Sequence, residues 1–296
     1  MAAQIDTSST DAPPSLFAPR RRLLFTGRRG TVASVVSTVL VLGGLIAVFY
    51  LSPGGAAVRY AYFNPHLMWL AFVGDPADGL SSVGLGILTN IWMFLVCEVF
   101  ILIFGLAIAW VRISKTPVLS PFRILATVYS DIFRGIPGLL VVALVGFGVR
   151  GLSLGWISNQ SPAVYACIAL TLSYSAYVAE VLRAGIYSVP NGQIMAAKSL
   201  GLSNYTTMRR VILPQAVRTV IPPLLNDFIS LQKDTALASI IGVVEAVNAA
   251  TIFQDSKFNS SGLVVASLLF LAMTIPLTRF TDHLIARDRN RRLAGT

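Results

Sequence analysis

The chain has 296 residues, of which 55% are hydrophobic and only 12% are charged, and its formal net charge is +10. Soluble domains carry about 25% charged residues, so this composition excludes an ordinary soluble protein and indicates a polytopic membrane protein. Whether the positive charge reflects nucleic-acid binding depends on where along the chain it lies.

The N-terminal part predicts a tail, one membrane span and an external segment. Residues 1–30 lack an apolar pattern and are rich in Ser, Thr, Pro and Ala, which predicts a disordered, basic cytoplasmic tail. Thr31–Leu51 is long enough to cross a bilayer. A cleaved signal peptide is the alternative, because Ala56 and Ala57 resemble a cleavage site, but the apolar run exceeds a usual signal core. Residues 31–83 are therefore interpreted as an extra first span and an external segment.

Five further apolar runs predict an all-α bundle of about six transmembrane helices, with a main domain over residues 84–283 and a basic cytoplasmic tail over 284–296. The five runs are Gly86–Val111, Ile124–Val149, Pro162–Leu182, Val220–Val244 and Leu263–Phe280. With the N-terminus in the cytoplasm, 18 Lys and Arg residues fall in inside segments and three in outside segments. This bias predicts that both termini are cytoplasmic, and it explains the net charge without nucleic acid.

The fifth predicted span carries a polar stripe. At about 100° per residue, five side chains share an arc of roughly 120°; they are Asn226, Asp227, Ser230, Lys233 and Asp234. Such a stripe is too costly to face lipid, so it lines a solute pathway or forms a buried network between helices. In a pathway, Lys233 would meet a carboxylate, and Asp227 or Asp234 would meet an amino group.

The third predicted span is unusual because only about 12 apolar residues separate Pro137 from Arg150, too few to cross a bilayer. The helix must therefore extend back through Asp131 and Arg134, which are three residues apart and are expected to pair. Gly135 and Pro137 predict a kink or a close helix contact.

The remaining charges within spans are expected to be structural. Glu98 lies near the middle of the second span, and we expect it to help pack the helices. Glu180 and Arg183 lie three residues apart at the cytoplasmic end of the fourth span, where we expect them to anchor the following loop. Cys97 and Cys167 lie in apolar runs, so neither a disulfide framework nor a metal site is predicted.

The loop GQIMAAKSLGLSNYTTMRRVILPQAVR, residues 192–218, has its own structural pattern. Ala196–Leu200 favours a short helix that Gly201 ends in a left-handed conformation. Ser203 is a good N-cap for a second short helix, which Pro214 is expected to stop. Two helices joined by a glycine predict a compact cytoplasmic knob, and we interpret it as a docking site for a soluble partner.

This loop resembles the cytoplasmic signature loop of permeases from binding-protein-dependent ABC transporters. That pattern runs Glu-Ala-Ala, three residues, Gly, nine residues, an aliphatic residue, one residue, and Leu-Pro; here it reads Met195-Ala196-Ala197, Gly201, Val211 and Leu213-Pro214. The stretches FRGIP, SAYVAEVLRAGI, VPNGQ, IPPLLNDFI and KDTALASIIGVVE resemble the polar amino-acid branch of that family. The resemblance covers residues 84–280.

The resemblance implies a five-helix importer core of the methionine-permease type in the bacterial inner membrane. It implies four kinds of partner: a dimer of ATP-binding-cassette ATPases, a second permease with a heterodimer favoured, an external solute-binding protein, and a polar amino acid, with glutamate or glutamine favoured. Ala196, Ala197 and Gly201 would form the coupling helix and its turn, followed by Leu213 and Pro214. Met195 departs from the pattern, so either the partner permease supplies the acidic residue or this half of the interface is apolar.

Other functions fit less well. The chain has no GxxxxGK[ST] phosphate loop, so ATP would be hydrolysed by another subunit, and no cofactor is expected. An ion-coupled secondary transporter or channel is the alternative, but the inverted repeat that would favour it is not evident. A membrane enzyme lacks support from any metal-ligand cluster or nucleophile–base arrangement in the sequence.

Overall fold

A computed structural model describes residues 28–153 and 155–294. Over these residues the chain is helical almost throughout, and it contains no named β-strand, which confirms the predicted all-α fold. The α-helices of the described chain are α1 (Arg28–Leu51), α2 (Gly55–Tyr62), α3 (Pro65–Val73), α4 (Val83–Ile113), α5 (Ser120–Gly135), α6 (Gly138–Gly151), α7 (Pro162–Tyr187), α8 (Asn191–Ser199), α9 (Asn204–Thr207), α10 (Leu213–Asp234), α11 (Ala246–Lys257) and α12 (Ser261–Ala294).

The helices include up to six membrane spans by length and composition. Four single helices qualify, over Thr31–Leu51, Val83–Ile113, Pro162–Tyr187 and Ser261–Arg287. Two bent pairs qualify as well: Pro117–Gly135 with Gly138–Gly151, and Asn204–Ile241 with Ala246–Lys257. The predicted number of spans therefore agrees with the structure, but the third and fifth predicted spans are broken helices.

The described chain divides into two compact units, with the boundary between Ala57 and Val58 inside α2. The first unit holds the apolar helix α1, and the second holds all helices from α3 onward. Residues 1–27 of the predicted N-terminal tail lie outside the described residues. At the other end of the chain, α12 continues to Ala294, so the predicted C-terminal tail is a helical extension in its described part.

Helix α7 is the centre of the second unit. It packs against α4, α5, α6 and α10, and its side chains Tyr165 and Leu170 lie fully inside the core. Small residues let the helices approach closely, as in other membrane bundles. Gly86 on α4 lies so near α11 that a Cβ atom there would sit 2.6 Å from the backbone nitrogen of Ala246.

The break between α5 and α6 follows from Pro137. The two helices meet at an angle of 108°. Ile136 is extended, with φ −92° and ψ 132°, as expected for a residue that precedes proline. Pro137 also has no N–H to continue the hydrogen-bond ladder. The sequence therefore located the bend correctly, but the bend is a sharp reversal and not a kink in one continuous helix.

A second break follows α10. The helix ends at Asp234, a 3-10 turn runs over Thr235–Ile241, and Gly242 adopts a left-handed conformation with φ +83°. The chain then enters α11 at a bend of 46°. The predicted span over Val220–Val244 is therefore helical as far as Ile241, but only its part up to Asp234 is α-helical. The chain changes direction in the break that follows Ile241.

An ion-pair clamp joins the segment before α4 to the end of α11. Lys257 Nζ lies 2.9 Å from Asp75 Oδ2 and also contacts Asp78. The hydrogen bond from Lys257 holds the pKa of Asp75 below its ordinary value. Nearby, the amide of Asn259 donates to the backbone oxygen of Tyr60 at 2.8 Å, which fixes α2 to the turn before α12.

We expect Gly86→Ala to lower the stability of the purified protein by about 1–3 kcal/mol, because the added methyl group would overlap the backbone of Ala246. The measurement is the thermal unfolding midpoint in detergent. Gly148→Ala is the matched control, since a Cβ atom there meets nothing within 4 Å. Equal midpoints for the two variants would show that the contact of α4 with α11 does not limit stability.

Candidate functional site

The polar stripe of α10 lies on the side of the helix that is turned away from the core. Asn226 and Lys233 are exposed, while Asp227, Ser230 and Asp234 are half-buried. The opposite side, which includes Ile229, Leu231 and Gln232, is buried. All five predicted residues therefore share one open side of the helix within this subunit.

Side chains from α4 and α7 extend this polar surface. Tyr174 on α7 donates a hydrogen bond of 2.8 Å to Asp234 Oδ2. Glu98 on α4 lies close enough to Asp227 for the two carboxylates to repel each other. Asp227 Oδ2 is buried without a hydrogen-bond partner among the described residues. We call the α10 stripe together with Glu98 and Tyr174 the polar face.

The polar face has a mixed charge that suits a zwitterion. Lys233 supplies an exposed ammonium group, and Glu98, Asp227 and Asp234 supply carboxylates within the same surface. A solute that carries both a carboxylate and an ammonium group would therefore meet an oppositely charged group for each. Charged groups within membrane spans usually face the interior of a helix bundle or a water-filled solute pathway, because exposing them to lipid is costly.

Glu180 is the centre of a second charged cluster, which the sequence predicted only in part. Its carboxylate lies 2.8 Å from Arg112 Nη1 of α4, 2.5 Å from Arg183 Nη2 of α7, and 3.6 Å from Arg134 Nη1 of α5. The expected pairing of Arg134 with Asp131 is not found: Asp131 is exposed, and no ion pair joins the two in the described chain. One carboxylate therefore connects three helices.

A buried network that the sequence analysis missed joins α4 to the start of α11. The Nδ2 atom of Asn90 donates to Glu245 Oε2 at 3.0 Å and to Thr235 Oγ1 at 3.1 Å. The Oδ1 atom of Asn90 accepts from the backbone nitrogen of Ala246 at 3.1 Å. All four residues are fully buried. Asn90 therefore satisfies buried polar groups at the break between α10 and α11.

Glu245 also caps helix α11. Its carboxylate accepts hydrogen bonds of 2.9 Å from the backbone nitrogens of Val247 and Asn248, which are free donors in the first turn of the helix. A sequence signal did exist, since a glutamate within an apolar region directly precedes a helix-forming stretch. It was not decisive because glutamate is not a usual N-cap residue, and its distant partner Asn90 was needed to explain it.

The loop over residues 192–218 forms the predicted helix–glycine–helix unit. Helix α8 ends at Ser199, and Gly201 follows the C-cap residue Leu200 with a φ of +79°. Leu202 donates its backbone N–H to Ala197 O at 3.2 Å, and Gly201 donates to Lys198 O at 2.9 Å, which is the hydrogen-bond pattern of a Schellman motif. Ser203 then caps α9 by accepting from the Thr206 nitrogen. These features confirm the predicted turn.

The expectation that Pro214 stops the second helix is wrong. A wide π-type turn, Met208–Ile212, connects α9 to α10 without a break, and Pro214 lies in the first turn of α10. Proline is tolerated there because the first N–H groups of a helix have no intrahelical partner. The loop is therefore continuous with the helix that carries the polar face.

The two alanines of the loop point in different directions. Ala197 is buried against the rest of the chain, whereas Ala196 is exposed. Met195 and Leu200 are 63% and 81% exposed, so the outer surface of the loop is apolar at its tip. Gln215 donates a 2.7 Å hydrogen bond to Gln193, which ties α8 to α10. We call this unit, residues 191–215, the loop knob.

The profile described as "Binding-protein-dependent transport system inner membrane component" matches residues 101–290 of the chain. Because the match covers more than half of the chain, the protein belongs to this family of transport-system membrane components. The resemblance first suggested by the spacing of the loop motif is thereby confirmed.

Individual proteins agree with this assignment. The probable glutamine ABC transporter permease protein GlnM of Bacillus subtilis (strain 168) is 38% identical over 191 residues, which cover 62% of this chain and 83% of that protein. A crystal structure of an amino acid ABC transporter with histidines superposes with a TM-score of 0.64 at 28% identity and covers 69% of this chain and 93% of its own. An inward-facing structure of the MetNI methionine ABC transporter has a TM-score of 0.58 at 16% identity and covers 76% and 99%, which supports the predicted methionine-permease-type fold.

We expect Glu180→Gln to destabilise the purified protein by about 3–5 kcal/mol, because it leaves the well-buried Arg112 without its counter-charge. Arg134→Gln removes a longer contact from a more exposed side chain, and we expect a cost of at most about 1 kcal/mol. Thermal unfolding of both variants in detergent measures the difference. Similar losses for the two would contradict a carboxylate-centred cluster.

Proposed function

We propose that this chain is the membrane-spanning permease subunit of an ABC importer for polar amino acids. The observation that carries the proposal is the loop knob, a rigid helix–glycine–helix unit with an exposed apolar tip, continuous with the helix that bears the polar face. This continuity gives a direct mechanical connection between a docking surface and a solute pathway. The membership in the family of binding-protein-dependent transport components supports it.

The proposed subunit lies in the bacterial inner membrane with both termini in the cytoplasm, as the distribution of Lys and Arg favours. The loop knob then faces the cytoplasm and docks one ATPase of a dimer, which hydrolyses ATP. The opposite end, with the Lys257 clamp, faces the external solute-binding protein. A second permease, a heterodimer partner by preference, completes the pathway across the open polar face.

The exposed side chain of Met195 bears on how the loop knob docks. The family pattern has an acidic residue at this position, and Met195 is 63% exposed next to the even more exposed Leu200. Since apolar surface of this kind gains free energy when it leaves water, we propose that this subunit meets its ATPase through an apolar contact. The acidic contact then belongs to the partner permease.

The substrate of the proposed importer is an α-amino acid with a polar side chain. Lys233 would bind its carboxylate, and Asp227 or Asp234 would bind its ammonium group, as argued from the charges of the polar face. Glutamine and glutamate are the first candidates, and one relative is named as a probable glutamine permease. The assignment is tested by purifying the complex and measuring which amino acid, with its binding protein, stimulates ATP hydrolysis.

We expect Gly201→Pro to abolish coupling while the protein still inserts. Proline fixes φ near −65°, but Gly201 requires +79°, so the turn between α8 and α9 cannot form. Strain of about 1–3 kcal/mol at this position would lower substrate-stimulated ATP hydrolysis roughly tenfold or more. Gly192→Ala is the control, because that glycine has open space and no positive φ. Normal stimulation and copurification of the ATPase with Gly201→Pro would refute docking through the loop knob.

We expect Lys233→Ala to raise the KM for uptake roughly tenfold or more, because a charged hydrogen bond to the substrate carboxylate is lost. Assembly should be unaffected, since Lys233 is exposed on the polar face. Arg150→Ala removes an exposed charge at the far end of α6 and serves as the control. Uptake by Lys233→Ala at the wild-type KM would exclude Lys233 from the pathway.

A further inference from the structure

An apolar groove of about 720 Å³ runs along the outside of α4, α5 and α7. Its floor includes Phe100 and Ile108 from α4, Ala126 from α5, and Ile168 from α7. The Tyr129 hydroxyl in its wall is already paired: it donates to Leu172 O at 2.6 Å and lies 2.7 Å from Ser175 Oγ. The exposed surface of the lining is almost entirely apolar, so the groove suits a hydrocarbon occupant.

The groove lies on the other side of α4 from the polar face. At about 100° per residue, Glu98 is turned roughly 160–200° from Val96 and Phe100, which line the groove. A second permease that covers the polar face would therefore approach α4 from the opposite direction. We therefore expect the groove to open towards the surrounding bilayer, where lipid would meet it.

One end of the groove is positively charged. Arg123 lies three residues before Ala126 on α5, so the two share a helix face and differ by about 4.5 Å along the axis. The Nε atom of Arg123 is buried without a hydrogen-bond partner among the described residues, while Nη2 donates to Thr116 O at 3.2 Å. Lys115, in the turn before α5, is exposed.

We propose that this groove binds the acyl chain of an anionic phospholipid whose phosphate is held by Arg123 and Lys115. From Trp92 to Ile108 the groove follows α4 for about 24 Å, which exceeds the roughly 15 Å depth of one leaflet. An acyl chain that enters at the Arg123 end therefore lies within the groove over its full length.

The occupied groove has a consequence for the broken span. Helix α5 ends at the 108° bend and carries Arg134, which reaches the Glu180 cluster. A lipid between α4, α5 and α7 steadies the start of α5. In the proposed orientation this lipid belongs to the cytoplasmic leaflet, but its binding does not depend on which substrate the protein transports.

The test is lipid retention by the assembled complex. The complex is reconstituted in vesicles of equal phosphatidylglycerol and phosphatidylcholine, extracted in mild detergent, and examined by native mass spectrometry. We expect phosphatidylglycerol to be retained in preference, and Arg123→Gln, Lys115→Gln and the groove-filling Ala126→Phe each to reduce its retention, by about tenfold for Arg123→Gln. Arg150→Gln removes one positive charge near the C-terminus of α6, and this variant should retain as much lipid as the wild type.

Several outcomes would overturn the proposal. The first is equal retention of the two lipids, and the second is an equal loss with Arg150→Gln. The third is unchanged retention with Ala126→Phe, or displacement of the lipid by inorganic phosphate, either of which would place the anion without its acyl chain in the groove. The fourth is a crosslink from the groove to a helix of the second permease, which would show that protein covers this face. Transport assays on the same variants separate this result from the proposed function, since an importer without the lipid still transports its substrate.

Discussion

The hydrogen bond between the Asn90 amide and the Glu245 carboxylate is the interaction on which the second broken span, between α10 and α11, depends. It is fully buried, and it connects α4 to the point where the chain leaves the 3-10 turn and starts α11. Inside a membrane, a broken helix leaves N–H and C=O groups that water cannot satisfy, so such a break persists only where protein supplies the partners. Asn90 and Glu245 supply them, and the close contact of Gly86 with Ala246 brings the two elements near enough.

The two broken spans divide the surface of the second unit by function. Helix α10 ends at Asp234 and displays its charges on one open side, while Tyr174 orients the last of them. Its beginning is continuous with the loop knob through the π-type turn, and in our proposal this continuity transmits movement of the loop knob to the polar face. The cluster around Glu180 fixes the neighbouring ends of α4, α5 and α7 at the level where this connection starts. The apolar groove lies on the remaining side, which faces lipid in our proposal.

Local sequence signals predicted local structure well. Gly201 and Ser203 specified the turn and cap of the loop knob, because left-handed backbone and N-capping are properties of single residues. Pro137 located the bend between α5 and α6 for the same reason. The prediction for Pro214 was wrong because proline stops a helix only when it lies in the helix interior. Whether Pro214 lies in the interior or in the first turn of a helix depends on the conformation of the residues before it. The π-type turn that made it a start was not encoded in any motif we recognised.

The sequence by itself determined the membrane location, the number of apolar spans and the family. Composition, hydrophobic length and motif spacing are properties of the linear chain, so they do not depend on which helices are in contact. It also placed the five polar residues of α10 on one side, because helical periodicity fixes their angles. Only the tertiary structure decided which charges meet. Arg134 pairs with Glu180, 46 residues away, and not with nearby Asp131, while Asn90 finds Glu245 across 155 residues. These pairings depend on how the helices cross, and crossing geometry arises from side-chain packing between elements, which no local pattern specifies.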